Sequence, residues 1–275
     1  MAKRFLAAAI FVPLIFAVVF FGVYAPILFD IAVAIICTVS VGEFANAVKA
    51  LRLFQISIPS LLFAASYPIL LTYGYAMPAC FVYSGIMLSM LVFFHRKITY
   101  KELAYTYSMT TIITIALSTI VMIKNMYPDY AAFYFLITLG LPWMADIGAF
   151  FAGTFLGRHK LCPEISPKKT VEGAVGGVIF CIGATCLVAW LIFLIGYRDT
   201  ARVDYLHIGS MAFIGSFLSI VGDLSFSMIK RNFGIKDYGS VLPGHGGFLD
   251  RFDSVIFVAP FMFVFVTYFP SIVKV

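Results

Sequence analysis

The stretch G-D-L-S-F-S-M-I-K-R-N-F-G-I-K-D-Y-G-S-V-L-P-G-H-G-G-F-L-D-R-F-D, Gly222 to Asp253, decides how the chain is read. It holds four carboxylates (Asp223, Asp237, Asp250, Asp253), four cations (Lys230, Arg231, Lys236, Arg251) and His245 between glycines. Apolar runs flank it on both sides, at 205–229 and 253–273. The 275 residues are 62% hydrophobic and only 12% charged, with a mean hydropathy of +1.01. So little polar surface cannot coat a water-soluble globule, and the chain reads as an all-α, polytopic membrane protein. A charge at the centre of a membrane helix costs about 2.5–3.5 kcal/mol on insertion scales, so a charged cluster between two spans marks a site.

The residue types in that cluster suit one ligand class. Carboxylates hold a hard cation such as Mg²⁺, and Lys and Arg neutralise phosphate oxygens. Glycines around His245 let backbone N–H groups approach an anion without Cβ interference. Together they describe a metal-assisted phosphate site facing a membrane.

Working outward, Gly, Pro and charge clusters divide the chain into nine apolar segments near the roughly 20 residues that cross a bilayer. They fall at 5–22, 26–45, 57–75, 78–95, 103–123, 130–156, 173–196, 205–229 and 253–273. The first follows Lys3-Arg4, is long for a signal peptide and lacks a small-x-small cleavage site, so an uncleaved span is expected. With the N-terminus in the cytoplasm, 15 of the 19 Lys and Arg residues fall on the cytoplasmic side; Lys124, Arg198, Arg202 and Lys274 fall on the other. That bias supports both the count and the orientation. It also makes the +6 net charge a matter of topology, so no nucleic-acid partner is expected. The five cysteines show no C-x-x-C and no zinc spacing, which argues against disulfides and structural zinc.

Residues 1–129 read as scaffold and as a candidate subunit interface, through which two copies could form a homodimer. Asp30 and Glu43 lie in the second span, and Glu43 is expected to pair with Lys49 at the interface or to face a neighbouring helix. Residues 130–275 read as the catalytic region. Asp146 stands about 18 Å of helix before Arg158, within the hydrocarbon, and so needs a partner. Gly153 and Gly157 make a G-x-x-x-G, the spacing of close helix packing.

The run Ser227 to Asp253, S-x-x-K-R-x4-K-D-x-G-x2-L-P-x-H-G-G-F-x-D-R-F-D, resembles the signature of the phosphatidate cytidylyltransferase family, the CDP-diacylglycerol synthases. Ser166 to Gly173, S-P-K-K-T-x-E-G, resembles a second element of that family, and Asp146 with Gly148-Ala149 the segment before it. Phe150, Arg158 and Val171 depart from the Tyr, Lys and Trp usual there. The likeness covers about residues 140–260, and the first half only by helix count and hydropathy.

The resemblance implies that phosphatidate attacks the α-phosphorus of CTP at the cytoplasmic face of a cell (inner) membrane, releasing pyrophosphate. On that footing Asp223, Lys169, His245, Asp250 and Arg251 are the expected catalytic residues. Asp223, Asp250 and Asp253 would hold one or two divalent ions, Mg²⁺ first, with room for a monovalent cation. Asp146, Ser166, Lys168, Lys169, Glu172, Lys230, Arg231, Lys236, Gly244, Gly246 and Gly247 would contact substrate. The competing reading is a cation- or proton-coupled transporter, which should place its acids near the midplane between repeated halves. The pattern of the CDP-alcohol phosphotransferases is absent.

Overall fold

The computed structural model describes residue 22 and residues 25–196, 201–239 and 246–274. Eight long helices dominate them: α1 Ile27–Ala47, α2 Phe54–Thr72, α3 Ala76–Phe93, α4 Tyr100–Met126, α5 Ala131–Leu156, α6 Val171–Gly196, α7 Tyr205–Asn232 and α8 Leu249–Tyr268. Seven are long and apolar enough to cross a membrane. The eighth, α8, opens on Asp250, Arg251 and Asp253. These helices coincide with the second to ninth expected spans. The first expected span lies, apart from Gly22, outside the described residues. The protein is an all-α multi-pass membrane protein.

Exposure follows from the bilayer acting as solvent. On α3, Phe81, Val82, Leu88, Val92 and Phe93 are exposed, and on α6 so are Val175, Ile179, Leu187 and Ile195. In water such faces would drive aggregation, whereas lipid covers them without penalty.

Local chemistry sets the helix ends. α4 begins at Tyr100 because Thr99 and Glu102 form a capping box: Glu102 N–H donates to Thr99 Oγ1 at 3.3 Å, and Thr99 N–H to Glu102 Oε2 at 2.8 Å. Gly173 N–H donates to Thr170 Oγ1 at 3.1 Å, which starts α6 earlier than hydropathy alone suggests. The basic segment before α6 is a hairpin in which β1 Lys160–Cys162 pairs antiparallel with β2 Ser166–Thr170. A second small ribbon pairs β3 Ala201–Val203 with β4 Ile272–Lys274.

The chain forms two compact units. One takes the residues up to Ala132 together with Asn232–Phe252; the other takes Phe133–Arg231 and the chain from Asp253 onward. In the first, α1, α2 and α4 pack on one another and α3 packs on α2. Thr106, Thr110, Thr114 and Ser118, four residues apart on α4, are all buried and offer small side chains that permit close approach. One ion pair ties three helix ends together: Lys124 Nζ on α4 bonds Asp30 Oδ1 on α1, and Thr72 Oγ1 on α2 donates to Asp30 Oδ2 at 2.9 Å. Asp30 is wholly buried and Lys124 is 6% exposed.

In the second unit, α5 and α6 meet through small residues. A Cβ added at Gly177 would lie 2.7 Å from Ala145 O, and one at Gly148 would lie 2.5 Å from Phe180 Cβ. α7 meets α8 in the same way, since a Cβ at Gly222 would lie 3.1 Å from Ser254 Cα.

Removing one partner from a buried ion pair strands the other charge, at about 3–5 kcal/mol. Lys124→Met should lower stability by about that amount in detergent unfolding, and adding Asp30→Leu should recover most of the loss.

Candidate active site

A cavity of about 470 Å³ opens among the small-residue contacts of the second unit. α5 contributes Asp146 and Thr154, the hairpin Lys168 and Lys169, α6 Gly173 and Gly177, and α7 Asp223. The volume lies within the roughly 300–1,000 Å³ usual for ligand pockets. It exists because glycine and alanine bring the helix backbones together while leaving side-chain space empty beside them. Asp146 stands ten residues before the end of α5 and Asp223 nine before the end of α7, about 15 and 14 Å along each helix. The acids therefore reach well into the spans, while the lysines come from the hairpin.

The charges answer one another. Lys169 Nζ forms an ion pair with Asp223 Oδ2, the two side chains being 26% and 24% exposed. Lys230 on α7 lies 4.0 Å from Asp253 Oδ2 on α8. Both are buried, so Lys230 is no solvated membrane anchor. Asp253 also feels the negative charge of Asp223 and of Asp146. Three helices thus direct carboxylates toward one region, and two lysines offset them.

The hairpin is locked at its base by Glu172. Its carboxylate accepts the Arg158 N–H at 3.1 Å and the His159 N–H at 3.2 Å, with His159 Nδ1 at 2.6 Å. Thr170 fits into the groove left by two glycines, its Oγ1 lying 2.9 Å from a Cβ built at Gly153 and 2.8 Å from one built at Gly173. The glycine spacing Gly153 to Gly157 accordingly seats the hairpin as well as the helix.

The first unit holds the other cluster. Asp250 Oδ2 accepts the N–H of Tyr238 at 3.0 Å and of Gly247 at 2.9 Å. Glu43 Oε2, far back in α1, accepts the Leu249 N–H at 2.7 Å. Gly246 has φ +85°, a conformation that glycine adopts without strain.

The structure accordingly brings together Asp146, Lys168, Lys169 and Asp223 around the cavity, and pairs Lys230 with Asp253. It places Asp250 with Gly246 and Gly247 at the start of α8. Ser166 opens β2 and is half-buried, while Arg231, Lys236 and Arg251 are exposed. Gly244 and His245 lie outside the described residues. Because α8 begins at Leu249, Asp250 and Asp253 stand three apart on one helix and share a face. Sequence reasoning left Thr154 and Thr170 unmarked and expected Glu43 near Lys49 or facing a neighbouring helix. No spacing rule connects α1 with Leu249.

Among the described residues, no group of three His, Cys, Asp or Glu side chains is gathered as an all-protein metal cage. Mg²⁺ seldom needs one: it uses one or two carboxylates and takes its remaining oxygens from water and substrate phosphate. Asp223 and Asp253 are hard oxygen donors of that kind.

A family model described as the cytidylyltransferase family matches residues 2–269. This chain belongs to that family. It is similar to the phosphatidate cytidylyltransferase of Bacillus subtilis, 33% identical over 184 residues, which cover 67% of this chain and 65% of that protein. The namesake from Staphylococcus saprophyticus is 37% identical over 65% of each chain. That from Staphylococcus aureus is 33% identical over 75% of this chain and 78% of its own length. The matched stretch thus spans slightly less than two thirds of the first two relatives.

Overpacking a close helix contact costs about 1–3 kcal/mol. Gly177→Val should destabilise by that amount, because its Cβ meets backbone, and should shrink the cavity that Gly177 lines. Gly183→Val, on the same helix with nothing within 4 Å of a Cβ, should leave the unfolding midpoint unchanged.

Proposed function

We propose that the chain is a phosphatidate cytidylyltransferase, making CDP-diacylglycerol and pyrophosphate from CTP and phosphatidate. The observation that carries this reading is the cavity in which Lys168 and Lys169 face Asp146 and Asp223 inside a membrane protein of the cytidylyltransferase family. The names of the relatives support the choice of substrates.

In the proposed step an oxygen of the phosphatidate phosphate attacks the α-phosphorus of CTP and forms the new P–O bond. The bond from that phosphorus to the bridging oxygen breaks, and its electron pair leaves with pyrophosphate. A phosphate monoester is already ionised near neutral pH, so no general base is needed. The obstacle is charge. Two unit charges 4 Å apart repel by about 1 kcal/mol in water and about 4 kcal/mol at an effective dielectric of 20. Several such pairs arise when two phosphates meet.

Lys169 and Lys168 neutralise phosphate oxygens at the cavity, and Lys230 does so beside Asp253. Asp223 and Asp253 are the residues that would hold Mg²⁺, which, when bound, stabilises charge on the nucleotide phosphates and the leaving pyrophosphate. Asp250 stands one helical turn before Asp253 on α8, and Arg231, Lys236 and Arg251, each exposed, are further cations for phosphate. Gly244, His245, Gly246 and Gly247 are residue types that suit an anion, while Ser166 opens β2, the hairpin strand that carries Lys168 and Lys169, and Glu172 locks that hairpin. With the N-terminus in the cytoplasm, the nucleotide reaches the site from the cytoplasm of a cell whose inner membrane holds the enzyme. Phosphatidate arrives from the bilayer.

A transporter reading gains nothing from the structure. The acids of the cavity are matched by lysines from a hairpin outside the spans, which suits a phosphate that arrives and leaves on one side.

The purified protein should form CDP-diacylglycerol and pyrophosphate from CTP and phosphatidate. Chelation should abolish the activity and Mg²⁺ should restore it. Asp223→Asn should lower kcat by about 10²-fold or more, and Lys169→Met should do likewise, with unfolding midpoints unchanged. Wild-type protein that yields no product from these substrates overturns the reading, and a normal kcat in either variant removes that residue from it.

A further inference from the structure

Glu43 sits in α1, in the half of the chain that carries no family motif, yet it lies where the polar stretch begins its last helix. The residue is only 7% exposed. Oε2 accepts the N–H of Leu249, the first residue of α8, at 2.7 Å. The first N–H groups of a helix have no partner within it and carry partial positive charge, so a carboxylate there is an electrostatic cap supplied from 206 residues away.

Two glycines mould to this carboxylate. A Cβ at Gly247 would lie 2.6 Å from Glu43 Oε2, and one at Gly239 would lie 2.4 Å from Oε1 and 2.7 Å from Cδ. The three atoms nearest to a Gly239 Cβ all belong to Glu43. The backbone on either side of residues 240–245 is therefore pressed against one side chain. Phe44, the next residue, meets the same segment, with its ring centroid 6.2 Å from that of Phe233 and 6.1 Å from that of Tyr238. Asp250 then draws the N–H groups of Tyr238 and Gly247 together.

We infer that Glu43 is a positioning residue for Asp250, which the proposed reaction uses. It holds the start of α8 and the glycine-lined backbone in one arrangement, and so sets where Asp250 is presented. It touches neither substrate nor the reacting atoms. The inference rests on the proposed cytidylyltransferase reaction and extends it to a helix that the motifs leave out. A second effect follows from the same geometry. A Cβ at 239 would press first on the Glu43 carboxylate, so Gly239→Ala disturbs the same contact from its other side.

The test uses the full chain in detergent with CTP, phosphatidate and Mg²⁺, comparing Glu43→Gln, Glu43→Ala, Gly239→Ala and the Glu43→Ala/Gly239→Ala pair. A misplacement of about 1 Å at a reacting site costs roughly 10²-fold in rate. Glu43→Ala is expected to lower kcat by about that factor while KM for CTP changes less than about threefold, as a positioning role requires. Glu43→Gln keeps an acceptor for the Leu249 N–H and should recover about tenfold of the loss. Gly239→Ala alone should match Glu43→Ala. The pair should be no worse than Glu43→Ala, since truncation removes the atoms with which the new Cβ collides.

Hydrogen exchange in a peptide spanning 246–252 gives a readout that does not need catalysis. It should quicken in Glu43→Ala and Gly239→Ala and stay as in the wild type in Glu43→Gln. Unchanged exchange overturns the inference even if the wild type proves inactive on these substrates, an outcome that separately defeats the proposed reaction. A lower unfolding midpoint with normal kcat in the folded fraction, or losses in the pair that simply multiply, also overturns it. Should Glu43→Ala fail to fold, Glu43→Gln and Gly239→Ala carry the same comparison.

Discussion

A charge inside hydrocarbon persists only with a partner, and this structure is organised by how its membrane-embedded carboxylates find theirs. Asp30 takes Lys124, Asp223 takes Lys169 and Asp253 takes Lys230. Glu43 and Asp250 take backbone N–H groups instead. The first pair is buried and joins three helix ends, so neither partner can be removed alone without stranding the other charge. The second is about a quarter exposed and lines a cavity, so its charges remain reachable by a ligand. The same kind of pair is sealed off in one place and open to a cavity in the other, and solvent access separates the two.

Small residues make the second arrangement possible. α5 and α6 approach until Gly177, Gly148, Ala145 and Ala149 are in backbone contact, and the space their missing side chains leave is the cavity. Van der Waals contact between backbones replaces the hydrophobic effect, which gives no advantage between two surfaces already in lipid. Thr170 and Glu172 then fix the hairpin that delivers Lys168 and Lys169. On the proposed reaction, rigid placement of cations counts because a flexible lysine would lose rotamer freedom on meeting phosphate, and a pre-placed one loses less.

Much of this was legible in the residues. Hydropathy located eight helices, missing only their ends, because caps such as Thr99 with Glu102 and Thr170 with Gly173 act through single hydrogen bonds that hydropathy does not register. The S-P-K-K-T-x-E-G and D-R-F-D runs identified most of the charged residues that the cavity and α8 display. The hairpin was hidden because five residues, Ser166 to Thr170, read as a basic loop until they pair with β1. Glu43 was hidden for a different reason. Its partner is a backbone N–H distant in sequence, and such a bond leaves no trace in residue type or spacing.

By itself the sequence determined that the chain crosses a membrane several times and that its polar chemistry concentrates in two segments of the second half. Both conclusions follow from solvation, since apolar length and buried charge have costs that depend on composition alone. Only the tertiary structure decided which lysine meets which aspartate, where the helices leave a cavity, and that an acid in the first half caps the helix carrying Asp250. Those outcomes depend on distances of a few ångströms between residues far apart in the chain. Packing sets such distances, and composition does not.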